Sequence, residues 1–563
     1  MPAATDPKLG DGERPSRPWR YWAPRIATPL FIPLLLLAVI EGALRLFDVG
    51  FSTDVTVPCT LKGRPASCYN LFFPAPFFPP GMIKTPQVYA IPAEKPQGTF
   101  RIFVLGESAA MGDPDPAYAF SRYLEVMLQE RYPSRKFEVV NTGSVAINSH
   151  VLLPMVRGLA KQQPDLFIIY SGNNEVVGPY GPGTALTSSG MSLPVIRSSI
   201  FVRSTRIGQL LTKLGAQKKE WGGMEMFLDK QVRADSPLMP HAYENFENNL
   251  RDTVAAARSS GARVIVSTIA TNLKDCGPFG SLHREGLSPE DLRAWSALVQ
   301  QGADFEKGRS YDEALKVYQA AAKIDGQYAE LEFRIAHAQW MLGNYTDAAE
   351  HFARARDLDT LRFRADSKIN NINRDVARSS GAELVDAEAI FSGSKETPNG
   401  IIGNELVYEH VHMTPLGNYQ LARAMFLQVA SKLTPEAGNS VTGSDVPTEA
   451  ECEQLLALTG HDRIRIATDM LRRLQSPPFT NQLNHTDQVL RLMLQSQAPG
   501  ENPDETDAQY QWAIRKRPDD RVLHYNYGLF LLERNRTAAI EQLRMSRAWD
   551  GLPVFAPDGT VVE

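Results

Sequence analysis

The stretch that decides the fold is Arg101 to Gly112, RIFVLGESAAMG. Four consecutive large apolar residues, Ile102 to Leu105, end at a glycine, which is how a short buried central strand reads. Gly106-Glu107-Ser108 follows, and then the small, helix-compatible pair Ala109-Ala110. The spacing predicts a strand, a tight turn and a helix. The Ser108 hydroxyl would then sit at the carboxyl edge of a sheet, where open α/β sheets bind their ligands. Gly-x-Ser alone arises by chance in long chains, so the serine needs support from elsewhere.

Apolar strand runs alternate with amphipathic helical stretches from residue 99 onward. The candidate strands are Arg101 to Leu105, Phe137 to Val140, Leu166 to Tyr170, Val264 to Ile269 and Glu383 to Val385. Such alternation predicts a parallel sheet with helices on both faces. The third strand leads into a Gly/Ser/Pro-rich loop, Gly172 to Ser198, on the same edge as Ser108. Long ordered loops in that place shape binding sites.

Between about 295 and 360 a different period takes over. Tyr311, Ala314, Tyr318, Ala321, Ile324 and Asp325 return as Tyr345, Ala348, Phe352, Ala355, Leu358 and Asp359, each shifted by 34 residues. A helix-turn-helix unit of that length, with small residues at close-packing positions and Gly343 before its second helix, resembles the tetratricopeptide repeat. The α/β pattern then resumes, ending in a helix from about Pro415 to Lys432. The repeats, 295–360, therefore read as an insertion in an α/β domain made of 99–294 and 361–434. A Gly/Ser/Pro/Thr-rich linker, 435–448, precedes an all-helical region, 449–563, in which Ala513, Pro518, Tyr527 and Gly528 again fall at tetratricopeptide spacing. Arrays of this kind bind peptides in a concave groove, so a protein partner is expected there.

Towards the N-terminus, residues 48–98 are rich in proline and aromatics without a sustained period, and read as an irregular linker lying on something apolar. Before it, a polar segment, 1–25, carries Arg14, Arg17, Arg20 and Arg25 ahead of an apolar run, Ile26 to Phe47. The run is near the ~20 residues needed to span a bilayer, although Pro29, Pro33, Glu41 and Arg45 weaken it. Glu41 and Arg45 are i,i+4 partners in its last turns. The basic flank should stay inside. A long leading segment without a small-x-small cleavage site favours an uncleaved anchor over a signal peptide. The expected location is a single-pass membrane protein whose catalytic domain lies outside the cytoplasm.

The formal charge is -5 and basic runs are absent, which argues against a nucleic-acid partner. Of the four cysteines, Cys59 and Cys68 are close enough to close a small loop, and a disulfide fits an extracytoplasmic location. Cys276 and Cys452 read as small buried hydrophobes. No spacing suits a zinc site, so neither metal nor cofactor is expected.

A serine hydroxyl needs a base, a group that orients the base, and donors for the oxyanion. Asn174 follows the third strand in Gly172-Asn173-Asn174-Glu175. Glu409-His410-Val411-His412 precedes the last helix, and its spacing lets Glu409 fix the ring of His412 while that ring faces Ser108. His410 is the rival base. Together these blocks resemble the SGNH (GDSL-like) hydrolase superfamily over about residues 99–434. The resemblance implies a flavodoxin-like three-layer α/β/α fold with about five parallel strands. It also implies Ser108 as nucleophile, His412 as base, Glu409 as its acid, and an oxyanion hole from the N–H groups of Ser108 and Ala146 and the amide of Asn174. Glu107 and Glu175 stand where the family has Asp, and Glu409 replaces the family's triad Asp. Ala146 aligns with the family's oxyanion glycine, a role alanine keeps if the turn does not need positive φ; Gly143 is the fallback. An α/β-hydrolase elbow is rejected, because Ala110 occupies the place of its second glycine.

The resulting expectation is a membrane-anchored extracytoplasmic serine esterase acting on an O-acylated glycan or lipid. The alternatives are an O-acyltransferase acting on a cell-surface polysaccharide, and a catalytically inactive repeat scaffold that binds a peptide partner.

Overall fold

The computed structural model of the chain describes residues 19–83, 87–215, 220–433, 445–498 and 502–553, and among these eight strands form two sheets. A small antiparallel sheet joins β1 (Thr56–Leu61), β2 (Arg64–Tyr69) and β3 (Ala90–Pro92). The larger sheet holds β4 (Thr99–Gly106), β5 (Lys136–Asn141), β6 (Leu166–Tyr170), β7 (Arg263–Ser267) and β8 (Glu383–Val385). All five run parallel, in the order β5-β4-β6-β7-β8. These are the five strands that the sequence predicts; β6 and β8 keep the predicted ends and the other three shift by one or two residues.

That order puts the switch of chain direction between β4 and β6, so their carboxyl ends open onto one crevice. Strand β4 has sheet neighbours on both sides and helices over both faces, so Ile102 to Leu105 are wholly buried. Helices Phe120–Arg131 and Pro415–Ala430 pack together as one layer. Helices Ser149–Leu159, Met239–Ser259 and Ser367–Ser380 form the other.

Between β7 and β8 the chain makes four further helices, Pro289–Lys307, Tyr311–Ile324, Ala329–Met341 and Tyr345–Leu358. The second and fourth are each 14 residues long and begin 34 residues apart, as the sequence period requires. Their repeated positions Ala314, Tyr318, Ala321, Ala348, Phe352 and Ala355 are all buried. At Gly302 an added Cβ would lie 2.3 Å from the Tyr318 ring, which shows how closely the first two helices approach. Further helices, Glu449–Leu456, Gly460–Leu474, His485–Ser496, Pro503–Lys516, Arg521–Leu531 and Arg536–Met545, make up the C-terminal part. This part is seated on the α/β domain: Tyr118 Oη donates to the Ala457 carbonyl at 3.1 Å, and Arg517 pairs with Glu125 at 3.1 Å. Residues 434–444, which include most of the predicted linker 435–448, lie outside the described residues.

The expectation of an irregular linker over 48–98 is corrected by β1, β2 and β3. Lys62 and Gly63 both take positive φ, 50° and 72°, and form the two-residue turn of a β1–β2 hairpin. Cys59 and Cys68 are joined by a disulfide, with Cα atoms 5.9 Å apart. The strands escape a search for periodicity because Pro58 and Pro65 interrupt them. Of the aromatics that follow, Phe73, Phe77 and Phe78 are buried and Phe72 is not.

Residues 19–51 and 200–215 form a unit of their own. In it, helix Trp19–Leu46 covers the predicted span, and helix Arg206–Gly215 is joined to it by Glu41, whose two carboxylate oxygens accept the N–H groups of Arg206 and Ile207 at 3.0 and 3.1 Å. Glu41 also accepts from Arg45, the pairing its i,i+4 spacing suggests. Among the described residues no helix is long and apolar enough to cross a membrane. Residues 1–18 of the predicted cytoplasmic segment lie outside the described residues.

Candidate active site

Ser108 opens the four-residue helix Ser108–Met111 immediately after β4. The turn between them requires Gly106: a Cβ there would lie 2.0 Å from the Tyr170 carbonyl oxygen on β6. His412 lies across the crevice in the loop before helix Pro415–Ala430, whose first turn is capped by the Thr414 hydroxyl. The His412 Nε2 is 2.9 Å from Ser108 Oγ. Its Nδ1 meets Glu409 Oε1, while Glu409 Oε2 accepts the Val411 N–H at 3.0 Å and the His410 N–H. Glu409 is fully buried, and burial alone would raise its pKa. The adjacent His410 and His412 outweigh that and hold the carboxyl well below its usual range.

His410, the rival base, lies with its ring against Phe279, Phe363 and Phe479, and burial lowers its pKa. It is the His412 ring that reaches Ser108. The donor groups of Glu409, His410 and His412 fall within 4.8 Å of one another, as in a metal site. The oxygens of Glu409 are already given to N–H groups of its own loop and to His412, an arrangement suited to orienting an imidazole.

Asn174 follows β6, and its Nδ2 donates to the Ile147 carbonyl at 3.1 Å, which ties it to the turn carrying Ala146. Ala146 has φ 59°, so this turn does take the left-handed conformation that favours glycine. The fallback Gly143 gives its N–H to Asn141 Oδ1 at 2.9 Å and presses against the Met111 backbone, so that donor is spent.

Glu107 and Glu175 are both buried, behind the reacting edge. Glu107 accepts from Ser171 Oγ (3.0 Å) and from the N–H groups of Gly172 (3.1 Å) and Asn173 (2.8 Å), lacing the Ser108 turn to the loop after β6. Glu175 accepts from the Ser149 N–H (2.9 Å) and hydroxyl (2.8 Å). Burial pushes the two carboxyls up to about 7 and about 8, respectively.

Ser108, Ala146, Asn174 and His412 line one cleft of about 310 Å³, walled by Trp221, Phe227, Phe363 and Phe479. Asp113 and Arg473 line it too, and sequence reasoning missed both. Arg473 is remote in sequence and carries no motif, whereas Asp113, in the turn after helix Ser108–Met111, could have been listed.

No family model matches the chain, and no curated protein matches it. Solved structures that are similar to it include a variant of an acetyl xylan esterase from Geobacillus stearothermophilus (13% identity, covering 60% of this chain and 97% of that one, TM-score 0.29). A lipase/acylhydrolase from Enterococcus faecalis (11%, 60% and 100%, TM-score 0.26) is another. A third is a GDSL-like lipase from Bacteroides thetaiotaomicron (9%, 59% and 86%, TM-score 0.25). At these scores the chemistry of this chain has to be argued from its own site.

Proposed function

We propose that this protein is a membrane-anchored, extracytoplasmic serine acylhydrolase with a Ser108-His412-Glu409 triad, acting on an O-acylated glycan or lipid. The observation that carries the reading is the 2.9 Å contact of Ser108 Oγ with His412 Nε2 while Glu409 holds the opposite ring nitrogen. As Ser108 Oγ attacks the acyl carbonyl carbon, its proton passes to Nε2, and Glu409 stabilises the imidazolium through Nδ1–H. The N–H groups of Ser108 and Ala146 and the Asn174 amide receive the oxyanion. The Nε2 proton then leaves with the alcohol, and a water molecule, deprotonated by the same nitrogen, cleaves the acyl-serine.

The aromatic walls and modest volume of the cleft suit a short acyl group on a larger alcohol. The acyltransferase alternative shares the acyl-serine and differs in how far water is kept from it. The scaffold alternative is disfavoured because Ser108, His412 and Glu409 remain wired together. A peptide in the groove of the helical repeats is compatible with either enzyme. Anchoring is supported within the N-terminal unit by the exposed run from Phe31 to Ile40 and by exposed Leu210, Leu211 and Leu214.

The test is labelling with a fluorophosphonate. The Ser108 Oγ–phosphorus bond forms, phosphorus–fluoride breaks, and the serine proton passes to His412. Stoichiometric labelling lost in Ser108→Ala supports the enzyme. A folded wild type that takes no label overturns it.

A further inference from the structure

His412 has a second carboxylate at its working nitrogen. Asp113 follows Gly112 in the turn after the nucleophile helix, and its Oδ2 is 3.1 Å from His412 Nε2, the atom that also meets Ser108 Oγ. From helix Gly460–Leu474 in the C-terminal part, Arg473 reaches the same place. Its Nη1 is 2.8 Å from Asp113 Oδ2, and its Nη2 donates to Oδ1 at 2.9 Å. The guanidinium also stands 3.6 Å from Glu409 Oε1 and 3.1 Å from His412 Nδ1. The charged and titratable groups about His412 are thus Glu409, Asp113, Arg473 and His410, with Asp469 beyond Arg473.

The proton count at Nε2 decides what Asp113 does. A neutral imidazole that has given Nδ1–H to Glu409 offers a lone pair at Nε2. A hydroxyl can donate to that lone pair, and an ionised carboxylate cannot. Asp113 therefore interacts favourably only with the imidazolium, which has no room for the Ser108 proton. Two carboxylates thus flank one ring, and the Arg473 guanidinium, bonded to one of them, offsets their charge.

We infer that Arg473 is a positioning residue, supplied by the C-terminal helical region, that engages Asp113 and keeps His412 free to act as a base. The inference rests on the triad reading above. Burial would raise the Asp113 pKa, but the charges beside it, Arg473 foremost, outweigh that and hold the carboxyl below its usual range. Once the serine proton reaches Nε2, the same Asp113 is placed to stabilise the imidazolium until the alcohol takes the proton. The helical region is in this way part of the reacting centre.

The experiment is the rate of fluorophosphonate labelling of Ser108 against pH in the full-length wild type, Arg473→Gln, Asp113→Asn and the double variant, with thermal melts as a check of folding. Removing the positive charge moves the midpoint of the acid limb up by about one unit or more, and removing the negative charge moves it down by a similar amount. The double variant returns close to wild type. A purely structural role would lower the rate at every pH and leave the midpoint in place. Should Arg473→Gln not fold, the downward shift in Asp113→Asn decides alone. Unmoved midpoints in folded variants overturn this inference and leave the triad standing; a wild type unlabelled at any pH overturns both.

Discussion

Asn174 donates its side-chain amide to the main-chain carbonyl of Ile147, at 3.1 Å, so the proposed oxyanion donor after one strand is held by the residue that follows Ala146, the proposed donor after another. The amide can therefore be removed without disturbing the base. Asn174→Ala should reduce kcat for an aryl acetate by roughly 10²- to 10³-fold, with little change in KM or in melting temperature. A loss of less than about tenfold would remove Asn174 from the oxyanion hole.

The turn at Ala146 stores strain. A left-handed residue with a Cβ costs about 1–2 kcal/mol, and glycine recovers part of this while adding about 0.5–1 kcal/mol of backbone entropy to the unfolded chain. Ala146→Gly should be stabilising by up to about 1 kcal/mol, read as a higher melting temperature, and should keep its N–H and its activity.

Two histidines separated by one residue should behave very differently. His412→Ala should abolish most turnover, by about 10⁴-fold. His410→Ala should keep the larger part of it and instead lose stability, because its ring fills space among Phe279, Phe363 and Phe479. The reverse pattern would transfer the role of base to His410.

The buried carboxyl of Glu175 makes stability fall as pH rises from about 4 to about 8. Its folded-state pKa, about 8, lies above the unfolded value, so its contribution is whole below about pH 4 and is lost as pH rises through about 8. Glu175→Gln can still accept the Ser149 N–H and now donate to its hydroxyl. The melting temperature of the variant should therefore exceed that of wild type at pH 9 by an amount corresponding to a few kcal/mol, and the gap should narrow steadily below pH 8 and close only near pH 4. Parallel curves would mean that Glu175 ionises freely.

Anchoring can be checked by depth. With the full chain reconstituted in vesicles, nitroxides at Leu35→Cys and Leu211→Cys should be relaxed by oxygen, and one at Lys213→Cys by an aqueous nickel chelate. The unpaired native cysteines, Cys276 and Cys452, are buried and should not compete for label. Equal nickel access at positions 35 and 213 would count against a bilayer.

The sheet and the helical hairpins could be read from the chain because their signals are local: apolar runs between helices, and a period repeated at one offset. Ser108, Asn174, Glu409 and His412, the residues proposed for the site, lie in recognisable sequence blocks and could be listed from the chain alone. Other features depend on distant partners. Proline-interrupted β1 and β2 have no clean alternation, and their signal is the Lys62-Gly63 turn alone. The conformation of Ala146 depends on the turn it shares with Asn174. Arg473 is separated from Asp113 by 360 residues, and only the docking of the helical region brings the two together. Glu107 and Glu175 look like departures from a motif until the N–H groups that surround them are seen.

The docking of the C-terminal helices has a consequence for how such a chain can be rearranged. Phe479, Pro477 and Ser476 wall the cleft opposite strands that precede them by hundreds of residues. At the other extremity, the Asp550 carboxylate accepts the Lys62 and Gly63 N–H groups at 3.0 and 2.8 Å, closing the hairpin turn onto the last described residues. The segments are contiguous neither in sequence nor in composition, yet they cannot be shuffled as cassettes. Residues 449–553 taken from another chain would have to supply both the cleft wall around Phe479 and the carboxylate that caps the Lys62-Gly63 turn.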